Sequence, residues 1–283
     1  MRYKKINRIA ELHNGIRIPT LGYRIDHDNL SLIAPNVKAA LDAGLRHFDL
    51  PADPEAEAIA AKVLMESDVP RYELFLCAKL GNDDHGYMKA MDAFERTLKR
   101  IGTDYVDLYL IDWPNPLKFR DQYFSISHET WRALETIYKT GKAHAIGIGN
   151  FEERHIEHIL AHCDIAPMVN QARIYPGFPF WDNFNCAEKH AIQTEDFLPP
   201  FHEQILVLPA LVTLGEKYKV TSRTICAAYL FNKNCIALCQ GNESDIAELS
   251  KAYDITLSEE ELNMLDNIRN AGPANIDPDT CDF

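Results

Sequence analysis

The 283-residue chain is predicted to fold as an α/β protein, a (β/α)8 TIM barrel with an N-terminal β-hairpin. Short apolar runs alternate with longer amphipathic ones along the whole sequence. Runs such as VDLYLI (106–111) and CIAL (235–238) are almost unbroken apolar stretches, as strands buried on both faces require. Eight strand candidates, each followed by helical or loop sequence, fit a closed barrel of about 270 residues better than an open sheet.

The elements follow in order. Residues 8–12 and 16–18 flank Asn14 and Gly15, a strong hairpin signal. Residues 20–25 read as the first barrel strand, and a helix around 35–43 is stopped by Gly44. Strand 46–50 precedes helix 55–65, and strand 74–79 precedes helix 87–101, which Gly102 ends. Strand 106–111 precedes helix 128–140, closed by Gly141. The second half continues with strand 143–148 and helix 152–162, then strand 168–172 and helix 184–190. Strand 192–197 leads to helices 209–218 and 222–232, and strand 235–238 to helices 244–252 and 258–269, before a Pro- and Asp-rich tail. No linker, low-complexity tract or repeat interrupts this rhythm, so residues 1–283 read as one domain.

Composition narrows the functional classes. A net charge of −13 argues against nucleic acid or an anionic membrane as partner, because phosphate binding needs a basic face. Seven cysteines form no CxxC pair and no zinc spacing, and the histidines show no HExxH pattern, so no metal is expected. Scattered, odd-numbered cysteines fit a reducing cytoplasm. MRYKKINRIAELHNG has no apolar core of a secretory signal, and no stretch of 18 uncharged apolar residues occurs. The expectation is a cytoplasmic monomer or weak homo-oligomer that meets a small molecule.

In such a barrel the active site lies at the C-terminal ends of the strands. That rule selects Arg24, Asp49, Lys79, Asp112, Gly149, Asn150, Gln171, Phe197, Cys239 and Gln240. Asp112 stands out as one charged side chain delivered at the end of a buried strand, just before Trp113.

Several segments carry a resemblance along the whole chain: IPTLGY, AALDAGLRHFD, VPRYELFLCAKLGNDDHGY, LKRIGTDYVDLYLIDWP, TWRALETIYKTGKAHAIGIGNF, MVNQARIYPGFP and LSEEELNMLDNI. They recur in the order and spacing of the aldo-keto reductase family, which the chain therefore resembles. The resemblance implies hydride transfer from NADPH to an aldehyde or ketone. It implies a tyrosine acid, a lysine–aspartate pair that tunes it, and a histidine that orients the carbonyl. The aspartate falls on Asp49 and the lysine on Lys79. The tyrosine falls on Pro54 and the histidine on Asp112, so half of the set is replaced.

The same comparison places the cofactor contacts on Asn150, Gln171 and Phe197, which match, and on Gly149, where a serine is expected. A glycine–threonine pair near the nicotinamide becomes Arg24 and Ile25. The lysine and serine for the 2′-phosphate fall on Cys239 and Gln240, or one residue later. An arginine becomes Asp245 and an asparagine Leu249. Independently of that comparison, residues 235–254 contain Lys251 as their one Lys or Arg, against Glu243, Asp245, Glu248 and Asp254. A 2′-phosphate site wants cations or helix N-terminal N–H groups.

What remains is Asp49, Lys79 and Asp112 on neighbouring strand ends. They read as a neutralised buried lysine or as a lysine between carboxylates that relays a proton. Arg24, Trp113, Arg173 and Tyr175 are candidates to line the mouth. Phe180 and Trp181, in an aromatic run with Phe178, suggest an apolar wall. The sequence thus favours a barrel that has lost NADPH-dependent reduction, carries no cofactor, and binds or converts a small, partly apolar molecule by non-redox chemistry. The alternative is an NADP(H)-dependent aldehyde or ketone oxidoreductase with a rearranged active site.

Overall fold

Strands β1 (Ile9–Glu11) and β2 (Arg17–Pro19) pair antiparallel, with Ala10 opposite Ile18. The turn between them is tied to the barrel: Asn14 donates to the His144 carbonyl and a His13 ring nitrogen meets the Pro167 carbonyl. Those carbonyls precede or begin barrel strands, so the hairpin lies across the N-terminal end and leaves the other end as the mouth. The computed structural model describes residues 8–178, 181–199, 203–269, 271 and 276–283.

The barrel is the fold the sequence predicts. It consists of β3 (Leu21–Arg24), β4 (His47–Asp49), β5 (Phe75–Leu80), β6 (Val106–Ile111), β7 (Ala143–Gly149), β8 (Val169–Gln171), β9 (Gln193–Phe197) and β10 (Ile236–Cys239). Each pairs in parallel with the next, and β10 returns to β3 to close the ring. Helices α1 (Leu30–Asp42), α2 (Pro54–Met65), α3 (Tyr87–Ile101), α4 (Tyr123–Lys139), α5 (Glu153–Leu160), α6 (Trp181–Lys189), α7 (Pro209–Tyr218), α8 (Ser222–Asn232), α9 (Glu243–Ser250) and α10 (Glu259–Asp266) account for the intervening sequence.

Strand alternation divides the core into two layers. Tyr109 of β6 packs edge-on against Phe94 of α3, 4.8 Å between ring centres, so odd-numbered β6 residues face the helices. Leu108, Leu110 and Asp112 therefore face the barrel axis. Room inside is tight. A Cβ on Gly22 would lie 2.6 Å from Nδ1 of His47, so the glycine makes space for an inward imidazole.

Three helix starts differ from the sequence expectation by three residues or more. Helix α1 begins at Leu30 because Asn29 caps it, its side chain accepting from the Ser31 N–H; Pro35 is carried inside the helix. Helix α4 begins at Tyr123, directly after a tight helical turn over Leu117–Gln122. Helix α6 takes in Trp181, ahead of the start at 184 expected from the sequence.

Candidate active site at the barrel mouth

Asp49 ends β4, Lys79 lies near the end of β5, and Asp112 follows β6, so three consecutive strands deliver them to one place. Lys79 Nζ donates to Asp49 Oδ2 at 3.0 Å and stands 3.8 Å from Asp112 Oδ1. Asp49 is 1% exposed and Lys79 9%, whereas the Asp112 side chain is 35% exposed. Burial works against the ammonium charge, but Asp49 and then Asp112 outweigh it and hold the lysine pKa above its ordinary value. Lys79 is therefore a cation locked on the inner carboxylate, with the outer one reaching solvent.

A polar line continues inward from Asp49. Gln171 donates from Nε2 to Asp49 Oδ1 at 3.0 Å and to Glu195 Oε1 at 2.6 Å. Glu195 Oε2 lies 3.7 Å from Nε2 of His47, and both side chains are fully buried. Burial, reinforced by the Asp49 charge, pushes the Glu195 carboxyl up to about 8, while burial pushes the His47 imidazole down to about 4. Both groups are thus held neutral at neutral pH. Next to Glu195, Asp196 points the other way and accepts the N–H groups of Ile174 and Tyr175; burial raises it to about 7. Sequence reasoning missed Glu195, Asp196 and His47. The signal was present: QTEDF puts two carboxylates into a strand where apolar residues are expected.

The other sequence-selected residues fall as follows. Arg24 lies over Phe197, its guanidinium carbon 4.1 Å from the ring centre, and Lys79 Nζ is 5.5 Å from the centre of the same ring. Asn150, in a left-handed conformation, donates its amide to the Asp112 carbonyl at 2.9 Å. Gly149 permits this approach, since a Cβ there would come within 3.1 Å of that same carbonyl oxygen. Trp113 and Arg173 line a pocket of about 480 Å³, open solvent included, together with Asn150, Phe151, Phe178 and Ile276. Tyr175 is buried in the core, and Trp181 packs on Phe184 and under the Lys233 ammonium. Phe180 lies outside the described residues.

The tail supplies one wall of that pocket through Ile276 and Pro278. Trp113 donates its indole N–H to the Pro278 carbonyl and stacks edge-on against Phe283. Asp279 accepts from Asn115 at 2.8 Å and from Arg154 at 2.8 Å, and its Oδ1 lies 3.0 Å from His155 Nε2. Burial opposes the Asp279 charge, but these partners hold its carboxyl down to about 2.

At the far side of the mouth, Asn242 caps α9 by accepting from the N–H groups of Ser244 and Asp245. Asp245 returns its carboxylate to the Asn242 N–H at 2.8 Å. The chain's own side chains thus occupy donors that a helix N-terminus could offer to an anion. Arg223, buried beside this loop, donates to the carbonyls of Pro199 and Gln240.

The barrel mouth thus gathers an aspartate–lysine pair with an aromatic ring 5.5 Å from the ammonium. The aldo/keto reductase family pattern matches residues 28–182, and this chain belongs to that family. It is 32% identical over 274 residues to the glyoxal reductase of Bacillus subtilis strain 168, covering 95% of this chain and 96% of that protein. An aldo-keto reductase from a Medee basin deep-sea metagenome superimposes with a TM-score of 0.88 at 28% identity, covering 97% and 100% of the two chains. A Bombyx mori aldo-keto reductase solved in complex with NADP superimposes at 0.84 with 25% identity, covering 94% of each.

These similarities correct the functional expectation drawn from sequence. Relatives spanning nearly the whole chain are named reductases, and a solved neighbour holds NADP. The reading of a barrel that had abandoned redox chemistry and cofactor falls with that. It gave losses at individual positions more weight than the shared frame, although Asp49, Lys79, Asn150, Gln171 and Phe197 all remain at the mouth.

Proposed function

We propose that the chain is an NADP(H)-dependent oxidoreductase for small, partly apolar aldehydes or ketones, with a rearranged proton donor. The observation that carries this reading is the Lys79 ammonium, fixed at 3.0 Å by Asp49 at the strand ends and 5.5 Å from the Phe197 ring.

The residues fit a nicotinamide at one end of the site. Phe197 offers a ring face once Arg24 swings away, and Asn150 and Gln171 stand on neighbouring strand ends, although their amide N–H groups already bond to the Asp112 carbonyl and to Asp49 and Glu195. The phosphate end is less hospitable, because Asp245 and Asn242 already bond to α9's first N–H groups. This supports weaker phosphate contacts.

When bound, NADPH supplies the hydride. The chain's own residues do the rest. Lys79 gives a proton from Nζ to the carbonyl oxygen as it becomes an alcohol. Asp49 holds the ammonium in place, and the half-exposed Asp112 connects it to solvent for reprotonation. A donor whose pKa is raised parts with its proton reluctantly, so slow turnover is expected. The apolar wall of Trp113, Phe151, Phe178 and Ile276 receives the substrate body, and Arg173 at the rim meets a second oxygen. Glyoxal, named for the Bacillus subtilis relative, has such a second oxygen.

The test is a titration with NADPH followed by protein fluorescence, then turnover of glyoxal and an aromatic aldehyde. Saturation with Kd below about 100 μM, worth roughly 5.5 kcal/mol, is expected. Lys79→Met should abolish turnover and leave that Kd within about threefold, a difference of less than 1 kcal/mol. Failure to bind NADPH at millimolar concentration would overturn the reading. Full turnover by Lys79→Met would overturn the assignment of the acid.

A further inference from the structure

The geometry points to a metal site on the outer wall of the barrel, remote from the reaction proposed above. Its ligands would be Glu157 of α5, Cys186 of α6 and His190 just past the end of α6, and its occupant a zinc-class divalent cation. The His190 N–H bonds to the Cys186 carbonyl at 3.2 Å, so helical geometry persists past the end of α6. Cys186 and His190 thus stand one turn apart on the same face. Glu157 meets them from the neighbouring helix: its Oε1 is 3.2 Å from His190 Nε2 and 3.8 Å from Cys186 Sγ. All three donor atoms lie within 4.8 Å of one another.

A tetrahedral ion with bonds of about 2.0–2.3 Å sets its ligands roughly 3.3–3.7 Å apart, close to the 3.2 and 3.8 Å that separate Glu157 from His190 and Cys186. A thiol, an imidazole and one carboxylate form a donor set that favours zinc-class ions over magnesium or calcium. Three protein ligands leave the fourth position to water.

Ordinary surface ion pairing explains part of the arrangement. The exposed Lys189 also sits 3.4 Å from Glu157 Oε1 and would have to swing outward. It does not explain the thiol. Cys186 is buried, yet it turns its sulfur toward a carboxylate. The sequence expectation of no metal site rested on contiguous motifs, and these ligands come from two helices. An ion here would pin α5 to α6. Asn183 of α6 already accepts from the Glu153 N–H at 2.8 Å and lines the substrate pocket, so the clamp would steady that pocket's side wall.

The full-length protein, stripped with a chelator, is titrated with Co²⁺ and read for visible ligand-field bands and near-ultraviolet thiolate-to-cobalt charge transfer. One equivalent is expected to bind, to be displaced by Zn²⁺ and to raise Tm. Cys186→Ser should lose the charge-transfer band, and His190→Asn or Glu157→Gln should weaken binding at least tenfold. Absence of the band in the unmodified protein, or its persistence in Cys186→Ser, would overturn the site. Glu157→Gln alters a partly exposed side chain, so it keeps the test decisive if Cys186→Ser fails to fold. Unweakened binding in that variant also overturns the proposal.

Discussion

Arg24 places its guanidinium 4.1 Å from the centre of the Phe197 ring, the ring proposed above to receive a nicotinamide. Such a cation–π contact is worth about 0.5–2 kcal/mol. If the cofactor must displace it, Arg24→Ala should tighten NADPH binding by roughly 2- to 30-fold. Fluorescence titration reads this directly. Weaker binding in the variant would mean that Arg24 itself holds the cofactor.

The resemblance, which puts a tyrosine acid at Pro54, makes a restoration testable. Pro54 opens α2 under the Asp53 cap, at an exposed position, so a tyrosine there leaves the helix start intact. Pro54→Tyr combined with Asp112→His should raise turnover by about 10²-fold, the lower end of what a positioned general acid contributes. The NADPH Kd should stay as it was. Steady-state kinetics with an aldehyde substrate checks both.

The buried ion pair predicts an asymmetry in stability. Asp49→Ala leaves the Lys79 charge without its closest partner and should cost about 3–5 kcal/mol. The double change Lys79→Met with Asp49→Leu removes both charges and should fall much nearer the parent. Urea denaturation of the two variants decides it.

Buried neutral groups set the pH dependence of stability. Glu195, raised to about 8, binds its proton more tightly folded than unfolded. Its contribution is complete below its ordinary value of 4.5 and is lost as pH rises through 8. His47, lowered to about 4, contributes fully above 6.5 and loses its contribution as pH falls through 4. From these two groups Tm should therefore be level between about pH 4.5 and 6.5 and decline on either side of that range. Glu195→Gln should flatten that alkaline decline, which scanning calorimetry across about pH 4–8, the window of these two groups, would register.

Asp279 anchors the tail over Trp113 through Asn115, Arg154 and His155. Asp279→Ala should raise KM for an apolar aldehyde several-fold, while kcat changes by less than about twofold. Limited proteolysis should cut the variant's tail faster. Equal KM and equal protection would show that the tail does not shape the pocket.

How legible this was in the sequence depends on the range of the interactions involved. The strands were readable because each is an apolar run with a helix behind it, and Asp49, Lys79 and Asp112 could be placed by the rule that strand ends build the mouth. Helix starts were less readable. Asn29 and Tyr123 compete with Pro35 and His128 as boundaries, and local packing chose between them. Family resemblance fixed positions, but weighing the replaced ones alone led to the wrong functional class.

By itself, then, the sequence determined the barrel, its hairpin and the three charged residues at the mouth, because periodicity and strand order are local, one-dimensional properties. Only the tertiary structure decided that Gln171 bridges Asp49 to Glu195, that Arg24 covers Phe197, and that Glu157 faces Cys186 and His190. Those relationships depend on side chains from distant segments meeting at distances near 3–4 Å, where the energy of a hydrogen bond or charge pair is set. No spacing along the chain encodes such distances.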